Sequence, residues 1–173
     1  MQIQFVQQVP ESIRAAPGGS VVIVCPWLKG LPEESGLWIA ALPIHDVNGY
    51  LDEDSGTTVP MDLRGRLYFG VFALDRFRSL PRLFASLHAK GIQRIVNLPS
   101  VSFFDGRSAG ILQSLDLGCA QEVEFLRKAK SAGFRVALCA RRSSVATLGD
   151  LHDFEFALYH DGPRSGFSAE KLP

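Results

Sequence analysis

The chain has 173 residues, a length that predicts one domain over 1–173 with a single buried core. Its 18 Lys and Arg balance 18 Asp and Glu, and no basic cluster marks a surface for nucleic acid. Apolar runs such as 21–25 fall far short of the ~20 residues that cross a bilayer. Three widely spaced cysteines favour reduced thiols, and the N-terminus lacks a secretory signal. We therefore expect a cytoplasmic protein that contacts neither nucleic acid nor membrane.

Up to residue 66 the sequence predicts little regular structure. Short strands are expected over 3–6 and 21–25, the second being a β-branched run of the kind that is covered on both faces in a parallel sheet. A brief helix over 11–16, stopped by the Pro-Gly-Gly at 17–19, is expected between them. The segment 27–66 is predicted to be loop and short helix. So long an irregular stretch often contains a lid or a binding segment.

From residue 67 onward, strand and helix patterns alternate. A strand over 67–73 precedes a helix that begins at Ser79, has Pro81 in its first turn and ends near Gly91. Four apolar residues of this helix recur at a spacing that places them on one face: Leu80, Leu83, Phe84 and Leu87. The further predictions are a strand over 94–98, a turn at 105–106, a helix over 121–132 with Val123, Leu126 and Ala129 facing inward, a strand over 134–140, a helix over 143–151, and a strand over 154–159 before a Gly- and Ser-rich tail.

The alternation of strand and helix predicts an α/β fold with right-handed crossovers and a parallel sheet of about six strands. A complete eight-stranded barrel usually takes ~250 residues. The chain is shorter, so two architectures stay open: an abbreviated (β/α) barrel and an open doubly wound sheet.

Several segments carry a resemblance to a known family. The sequence FGVFALDRFR at 69–78 is similar to A-G-V-x-x-x-D-P-F-R, and IVNLPSVSFFDG at 95–106 is similar to V-Q-N-F-P-T-V-G-L-I-D-G. LQSLDLGCAQEVEFL at 112–126 resembles L-E-E-T-G-M-G-Y-x-x-E-V-E-M-I, with weaker likenesses at 42–48 and 159–162. These motifs resemble the phosphoenolpyruvate hydrolase-like family, also called TIM-barrel signal-transduction proteins, within the phosphoenolpyruvate mutase and isocitrate lyase superfamily.

The resemblance implies an enzyme, a lyase or hydrolase, that makes or breaks a C–C, C–P or C–O bond beside the carbonyl of a small 2-oxo acid or phosphoenolpyruvate-type ligand. Such chemistry requires an enolate to be stabilised, by Mg²⁺ or by an arginine cluster. The chain departs from the family pattern in two places. No Gly-Thr-Gly loop occurs in 1–19, and the family's paired glutamates are Gln113 and Ser114, which hold no charge.

The chain ends at Pro173, before the remaining strands that the resemblance implies. An incomplete barrel would leave an open sheet edge, and proteins cover or pair such edges. We therefore expect a homodimer, or another partner, to close the sheet.

In a parallel sheet the polar residues at the carboxyl ends of strands converge. Asn97 is predicted to hold a substrate carboxylate or enolate oxygen, or else to satisfy the turn at Pro99. Asp105 is predicted to bind Mg²⁺ or to act as a base, the alternative being an ordinary Asp-Gly turn. The turn between a predicted strand and the following helix contains Arg141, Arg142 and Ser143, which are predicted to bind an anion. The alternative is that Ser143 only caps the helix and that the two arginines are solvated.

Two further residues are candidates for proton transfer or metal binding. His160 follows an apolar strand and could act as general acid or base, the alternative being a histidine satisfied by neighbouring hydrogen bonds. Asp46, next to His45, could bind a metal, although adjacent residues on a loop usually diverge.

Three functions stay open on the sequence alone. The first is the 2-oxo-acid enzyme, with Mg²⁺ as cofactor and His160 or Asp105 as the proton-transfer group. The second is a non-catalytic module that keeps a pocket for a small anionic molecule and has lost turnover. The third is a scaffold subunit that docks or dimerises through its sheet edge and the loop from Trp27 to Trp38.

Overall fold

The structure is a computed structural model that describes residues 2–9, 20–32, 35–42, 44–52, 58–162 and 166–172. One sheet of seven strands forms its centre, and the strand order follows the chain order. The first six strands are parallel, and the seventh is antiparallel to the sixth. The strands are β1 (Gln2–Val6), β2 (Ser20–Val24), β3 (Leu67–Val71), β4 (Arg94–Asn97), β5 (Arg135–Arg141), β6 (Phe156–His160) and β7 (Ser168–Lys171).

Five α-helices and several short 3₁₀ turns connect the strands in the described ranges. The helices are α1 (Gly36–Ala40), α2 (Val47–Asp52), α3 (Leu80–Ala89), α4 (Gly106–Ser114) and α5 (Cys119–Ser131). The 3₁₀ turns cover Pro26–Leu28, Met61–Leu63, Val101–Phe103 and Arg142–Thr147. Within the described part of the chain, every helix is too short or too polar to cross a bilayer.

The sheet curls into a nearly closed barrel. β1 and β7 come into contact across the gap, where the Phe5 and Phe167 rings lie 5.1 Å apart, edge to face. Side chains alternate along each strand between two cores. The outer core packs the sheet against α3 and α5, and includes Val24, Ile95, Leu83 and Leu126. The inner core fills the barrel and includes Ile23, Val96, Cys139 and Leu158, with Trp27 and Phe103 packed over its carboxyl end.

Gly70 on β3 lies at a point of close packing inside the barrel. A Cβ atom at this position would be 2.8 Å from the carbonyl oxygen of Leu98 and 3.1 Å from Sγ of Cys25. The Trp27 indole N–H also donates a 3.0 Å hydrogen bond to the Gly70 carbonyl. The backbones and Trp27 therefore pack this closely because position 70 has no side chain.

The barrel-like prediction is confirmed, and the open doubly wound alternative is wrong because the strand order never reverses. The helix predicted from Ser79 is α3, and the helix predicted over 121–132 is α5. The segment 143–151 contains a 3₁₀ turn instead of an α-helix, and α4 and β7 were not predicted. The helix predicted over 11–16 lies outside the described residues. The prediction that a second copy, or another partner, covers an open edge stays a prediction.

Candidate functional site

Two grooves lie side by side at the carboxyl ends of the parallel strands. The larger, called here the Arg141 groove, has a volume of about 690 Å³ and is lined by Ser102, Asp105, Gly118, Arg141 and Ser143, among others. The smaller, called here the Arg78 groove, has a volume of about 620 Å³, and its lining includes Asp46, Phe72, Asp75, Phe77 and Arg78. Val101, Leu112 and Leu117 line both grooves, so the two share a wall.

Arg141, the last residue of β5, is held in place by three groups. Its Nε donates to the Ser102 carbonyl at 3.2 Å, and its Nη2 donates to the Phe103 carbonyl at 3.1 Å. Its Nη1 pairs with Oδ2 of Asp105 at 3.2 Å. The Arg141 side chain is 17% exposed, whereas that of Asp105 is 73% exposed. The guanidinium is therefore fixed by the protein, and its only acidic partner in these contacts lies out in solvent.

The N-termini of two helices also line the Arg141 groove. Gly106 begins α4, and Gly118 and Cys119 lie at the start of α5. Helix N-termini carry unpaired N–H groups and the positive end of the helix dipole. The Gly118 N–H donates to the Gln121 side chain at 3.1 Å. Burial raises the pKa of the Cys119 thiol to about 12, with a smaller contribution from Glu122, so Cys119 is not a thiolate at neutral pH.

Asn97 lies outside both grooves, between β4 and β5. Its Nδ2 donates to the Cys139 carbonyl at 2.9 Å and to Oε2 of Glu122 at 3.0 Å. Its Oδ1 accepts from the Cys139 N–H at 2.6 Å. Asn97 is fully buried, and both ends of its amide are used to join the two strands. This placement differs from the predicted contact with substrate.

Glu122 on α5 is a buried acid that sequence reasoning missed. Its Oε2 accepts from Ser100 Oγ at 2.7 Å as well as from Asn97, and its Oε1 accepts from the Val101 N–H at 3.0 Å. Only 1% of Glu122 is exposed. Burial raises the pKa of Glu122 to about 8, against the opposing effect of these hydrogen bonds. A signal was present in the sequence: Glu122 lies at i, i+4 and i+7 with Leu126 and Ala129, on the inward face of the helix.

His160 ends β6 inside the barrel and meets the loop that follows β4. Its Nε2 is 2.9 Å from Ser102 Oγ, which in turn is 2.8 Å from Ser100 Oγ. Its Nδ1 is buried and has no hydrogen-bond partner among the described residues. Burial, assisted by the positive charge of Arg141, lowers the pKa of His160 to about 4. His160 is therefore neutral at physiological pH and reaches the Arg141 groove only through Ser102.

Arg142 and Ser143 point to different places although they are adjacent. Arg142 Nη2 donates to Ser168 Oγ and to Oε1 of Glu170, each at 2.8 Å, and its guanidinium lies 4.6 Å from the centre of the Tyr159 ring. These contacts attach β7 to the end of β5 and lie outside both grooves. Ser143 lines the Arg141 groove. Of the three predicted anion-binding residues, the structure thus brings Arg141 and Ser143 together.

Asp46 belongs to the Arg78 groove. Its two carboxylate oxygens accept from Arg78 at 2.7 and 2.8 Å, and Oδ1 also accepts from the Gly49 N–H at 2.9 Å. The hydrogen bond with Arg78 holds the pKa of Asp46 below its usual value. Asp46 and Asp105 therefore line different grooves, and the described residues contain no group of three His, Cys, Asp or Glu side chains arranged to hold a metal. Metal binding at either aspartate stays a prediction.

A sequence profile of the phosphoenolpyruvate hydrolase-like family matches residues 33–146, which is more than half of the chain. The chain belongs to this family. The match begins before α1 and ends within the 3₁₀ turn after β5, so it includes the residues that line both grooves except Thr147 and Leu148.

This phosphoenolpyruvate hydrolase-like chain is similar in sequence to parts of three curated proteins. It is 34% identical over 125 residues to the uncharacterized protein y4oT of Sinorhizobium fredii, covering 70% of this chain and 63% of that protein. It is 29% identical over 92 residues to the ToMV resistance protein Tm-1(GCR237) of Solanum lycopersicum and, equally, to the ToMV susceptible protein tm-1(GCR26). In each tomato protein the match covers 12% of the length. The chain therefore spans only part of the curated relatives it matches.

Proposed function

We propose that this domain binds a small anionic ligand, a phosphate or carboxylate of the phosphoenolpyruvate or 2-oxo-acid type, in the Arg141 groove. The observation that carries the proposal is the fixed guanidinium of Arg141. Two backbone carbonyls hold it against the wall of a groove of about 690 Å³. Arg141 therefore needs no reorganisation to accept an oxyanion, and a preorganised arginine is the side chain best suited to carboxylate and phosphate geometry.

Asp105 is the group that an anionic ligand would displace. Its carboxylate pairs with Nη1 of Arg141 at 3.2 Å and is mostly exposed to solvent. An exposed ion pair contributes only about 0–1 kcal/mol, so a ligand can exchange with Asp105 at small cost. The displaced carboxylate would be rehydrated, while the ligand would gain the N-termini of α4 and α5 and the Ser143 hydroxyl as further donors. Asp105 thus serves as a stand-in for the ligand.

The first prediction concerns three single substitutions measured by calorimetric titration with phosphoenolpyruvate and with pyruvate. Arg141→Gln is expected to weaken binding on the order of 10- to 100-fold, because a hydrogen bond to a charged group contributes about 1.5–3 kcal/mol. Asp105→Asn is expected to tighten binding about two- to fivefold, because the competing charge is removed. Arg142→Gln is the matched control, since Arg142 bonds Ser168 and Glu170 outside the groove. Equal affinities in wild type and Arg141→Gln would refute the proposed site.

A catalytic role for the same groove is the second candidate. One contact favours it: Ser102 lines the groove and hydrogen bonds to His160 at 2.9 Å, which gives a bound ligand a route to a titratable group. Asp105 and Asp116 also line the groove, and carboxylate oxygens are ligands that Mg²⁺ accepts together with water and substrate phosphate. Asp105 and Asp116 would hold the ion, which would supply electrostatic stabilisation of an enolate, and His160 would move the proton through Ser102.

The enzyme and the binding module predict opposite effects of substituting Asp105. If the domain is an enzyme, phosphoenolpyruvate should yield pyruvate in the presence of Mg²⁺, and both Asp105→Ala and His160→Ala should reduce the rate. If it is a binding module, the ligand should raise the thermal unfolding temperature without turnover, and Asp105→Asn should enhance that stabilisation. Turnover that disappears in Asp105→Asn would favour the enzyme, whereas tighter binding without turnover would favour the binding module.

A further inference from the structure

Four buried side chains form an unbroken chain of hydrogen bonds from α5 on the outside of the barrel to β6 on its inner face. Glu122 Oε2 is 2.7 Å from Ser100 Oγ, Ser100 Oγ is 2.8 Å from Ser102 Oγ, and Ser102 Oγ is 2.9 Å from His160 Nε2. Each of the four residues is at most 4% exposed. Both ends of the chain are titratable, and its two middle members are hydroxyl groups.

When all three hydrogen bonds are made, the hydrogen atoms run along the chain in one of two directions, because each serine has one hydroxyl proton. The Cys139 carbonyl is a longer alternative acceptor for Ser100, at 3.4 Å. When Glu122 is ionised, Ser100 donates to Glu122 and Ser102 donates to Ser100. His160 must then donate through Nε2–H. When Glu122 is protonated at Oε2, it donates to Ser100, Ser100 donates to Ser102, and Ser102 donates to Nε2. A neutral His160 must then carry its proton on Nδ1.

We propose that Glu122, Ser100, Ser102 and His160 form a proton relay in which the ionisation of Glu122 switches His160 between its two neutral tautomers. The proton balance is as follows. The Oε2 proton of Glu122 moves to Ser100, the Ser100 proton moves to Ser102, and the Ser102 proton moves to Nε2 of His160. In the final state the imidazole lacks its Nδ1 proton and Glu122 carries one negative charge, so the overall change releases one proton from the protein to solvent.

The groups around Glu122 and His160 determine at which pH each of the two residues titrates. Facing Glu122 are the amide of Asn97 from β4, the backbone N–H of Val101, and the thiols of Cys119 on α5 and Cys139 on β5. Burial raises the pKa of Glu122 to about 8. The charged groups near His160 are Arg141 and Asp161, and its pKa lies at about 4. Glu122 therefore titrates while His160 stays neutral, so the histidine changes tautomer and not charge.

The relay also assigns a role to Ser102 in the Arg141 groove, a step that rests on the function proposed above. Ser102 lines that groove and is the only one of the four residues to do so. A ligand atom that takes the Ser102 proton would have it replaced from Ser100, and Ser100 in turn would be refilled from Glu122. The anion would gain one proton, and Glu122 would be left as a carboxylate. Below its own pKa Glu122 would then regain a proton from solvent, so that binding takes up one proton in total. Ser102 is thus the proton-delivering residue, and the other three are positioning residues.

The relay can be tested without any ligand by ¹⁵N NMR of histidine-labelled protein. The tautomer of His160 is followed from about pH 6.5 to about pH 9, with its signals assigned by their absence in His160→Asn. We expect Nδ1–H below the midpoint of Glu122 titration and Nε2–H above it. Glu122→Gln should show one tautomer throughout, because the glutamine amide does not titrate. Ser102→Ala should uncouple the tautomer from pH.

Glu124→Gln is the matched control, since Glu124 lies on the same helix, is exposed, and pairs with Lys128 at 2.7 Å. It should switch tautomer as the wild type does. A single His160 tautomer over the whole range in the wild type, or an unchanged switch in Ser102→Ala, would overturn the relay. A separate experiment measures the heat of phosphoenolpyruvate binding at about pH 7, where Glu122 is protonated, in two buffers of different ionisation enthalpy. Proton uptake in the wild type but not in Glu122→Gln supports Ser102 as the delivery point.

The NMR experiment and the calorimetric experiment test separate claims, so either can be rejected without the other. Absence of phosphoenolpyruvate binding would reject the proposed function while the NMR result decides the relay by itself. Binding with no proton uptake would reject delivery by Ser102, whatever the tautomer does.

Discussion

Replacing Glu122 with glutamine is expected to flatten the pH dependence of stability between about pH 6.5 and about pH 8. In the wild type the pKa of Glu122 is about 8 in the folded state and near the ordinary glutamate value of 4.5 when unfolded. Within this window the unfolded state has lost the proton that the folded state keeps. The contribution of Glu122 to the free energy of unfolding is therefore complete at pH values below its unfolded-state pKa. It falls with rising pH, by up to about 1.4 kcal/mol per pH unit, until the pH exceeds the folded-state pKa.

The window isolates Glu122 from the other shifted groups. His160 acts in the opposite sense, because its lowered pKa of about 4 removes stability as pH falls below the ordinary histidine value of 6.5. The buried thiols Cys25 and Cys139 have raised pKa values, so they remove stability only as pH rises beyond the ordinary cysteine value of 9.0. Between these limits, and among the residues that the structure describes, Glu122 is the buried side chain whose charge differs between the folded and unfolded states.

Urea unfolding at several pH values checks this prediction. Wild type and Glu124→Gln should lose about 2 kcal/mol across the window, and Glu122→Gln should lose little. Glu122→Ala is expected to cost about 3 kcal/mol at about pH 6.5, because it leaves the Ser100 hydroxyl and the Val101 N–H without their buried acceptor, and about 1 kcal/mol at about pH 8, where the wild type has lost the stability that depends on Glu122. A wild-type free energy of unfolding that stays level from about pH 6.5 to about pH 8 would contradict the neutral buried acid.

Replacing Gly70 with alanine is expected to destabilise the protein by about 3 kcal/mol or to prevent folding. The added methyl would lie 2.8 Å from the Leu98 carbonyl oxygen and 3.1 Å from both Cys25 Sγ and the Trp27 ring. Backbone on one side and fully buried side chains on the other leave no flexible group to move. Relief would require β3 and the segment after β4 to separate, which would weaken the inner core.

The matched control is Gly110→Ala in α4. Position 110 lies inside a helix, and a Cβ there meets nothing within 4 Å. Alanine at an exposed helical site should stabilise by about 0.5–1 kcal/mol, because glycine loses more backbone entropy on folding. Thermal and urea unfolding of both variants measure the difference. A Gly70→Ala protein as stable as the wild type would show that the barrel interior is looser than these distances imply.

Most of the sheet and its two long helices could be predicted because each carries its own pattern. Continuous apolar runs predicted β2 through β6, and the 3.6-residue period predicted α3 and α5. The two missed elements have no such pattern. α4 buries none of its residues and contains two glycines, and β7 buries only Ala169 among four residues. Their stability comes from neighbours: β7 pairs with β6 and is held by Arg142 through Ser168 and Glu170.

The candidate site was only partly predictable, because a sequence shows which residues are polar but not which of their atoms are already bonded. Arg141, Ser143 and Asp105 were placed at the carboxyl ends of strands by the alternation rule, and the structure brings them into one groove. Asn97 follows the same rule, yet both ends of its amide are occupied by Cys139 and Glu122. A lone sequence does not distinguish these two situations.

The antiparallel direction of β7 determines where the chain enters and leaves the barrel. β1 starts at the amino rim, and Lys171 pairs with Phe156, the first residue of β6, at that same rim. Gln2 and Lys171 therefore lie at the end of the barrel opposite the two grooves. Affinity tags, surface linkers or whole domains fused before Gln2 or after Lys171 would attach away from the ligand side, so immobilised protein should keep its grooves accessible.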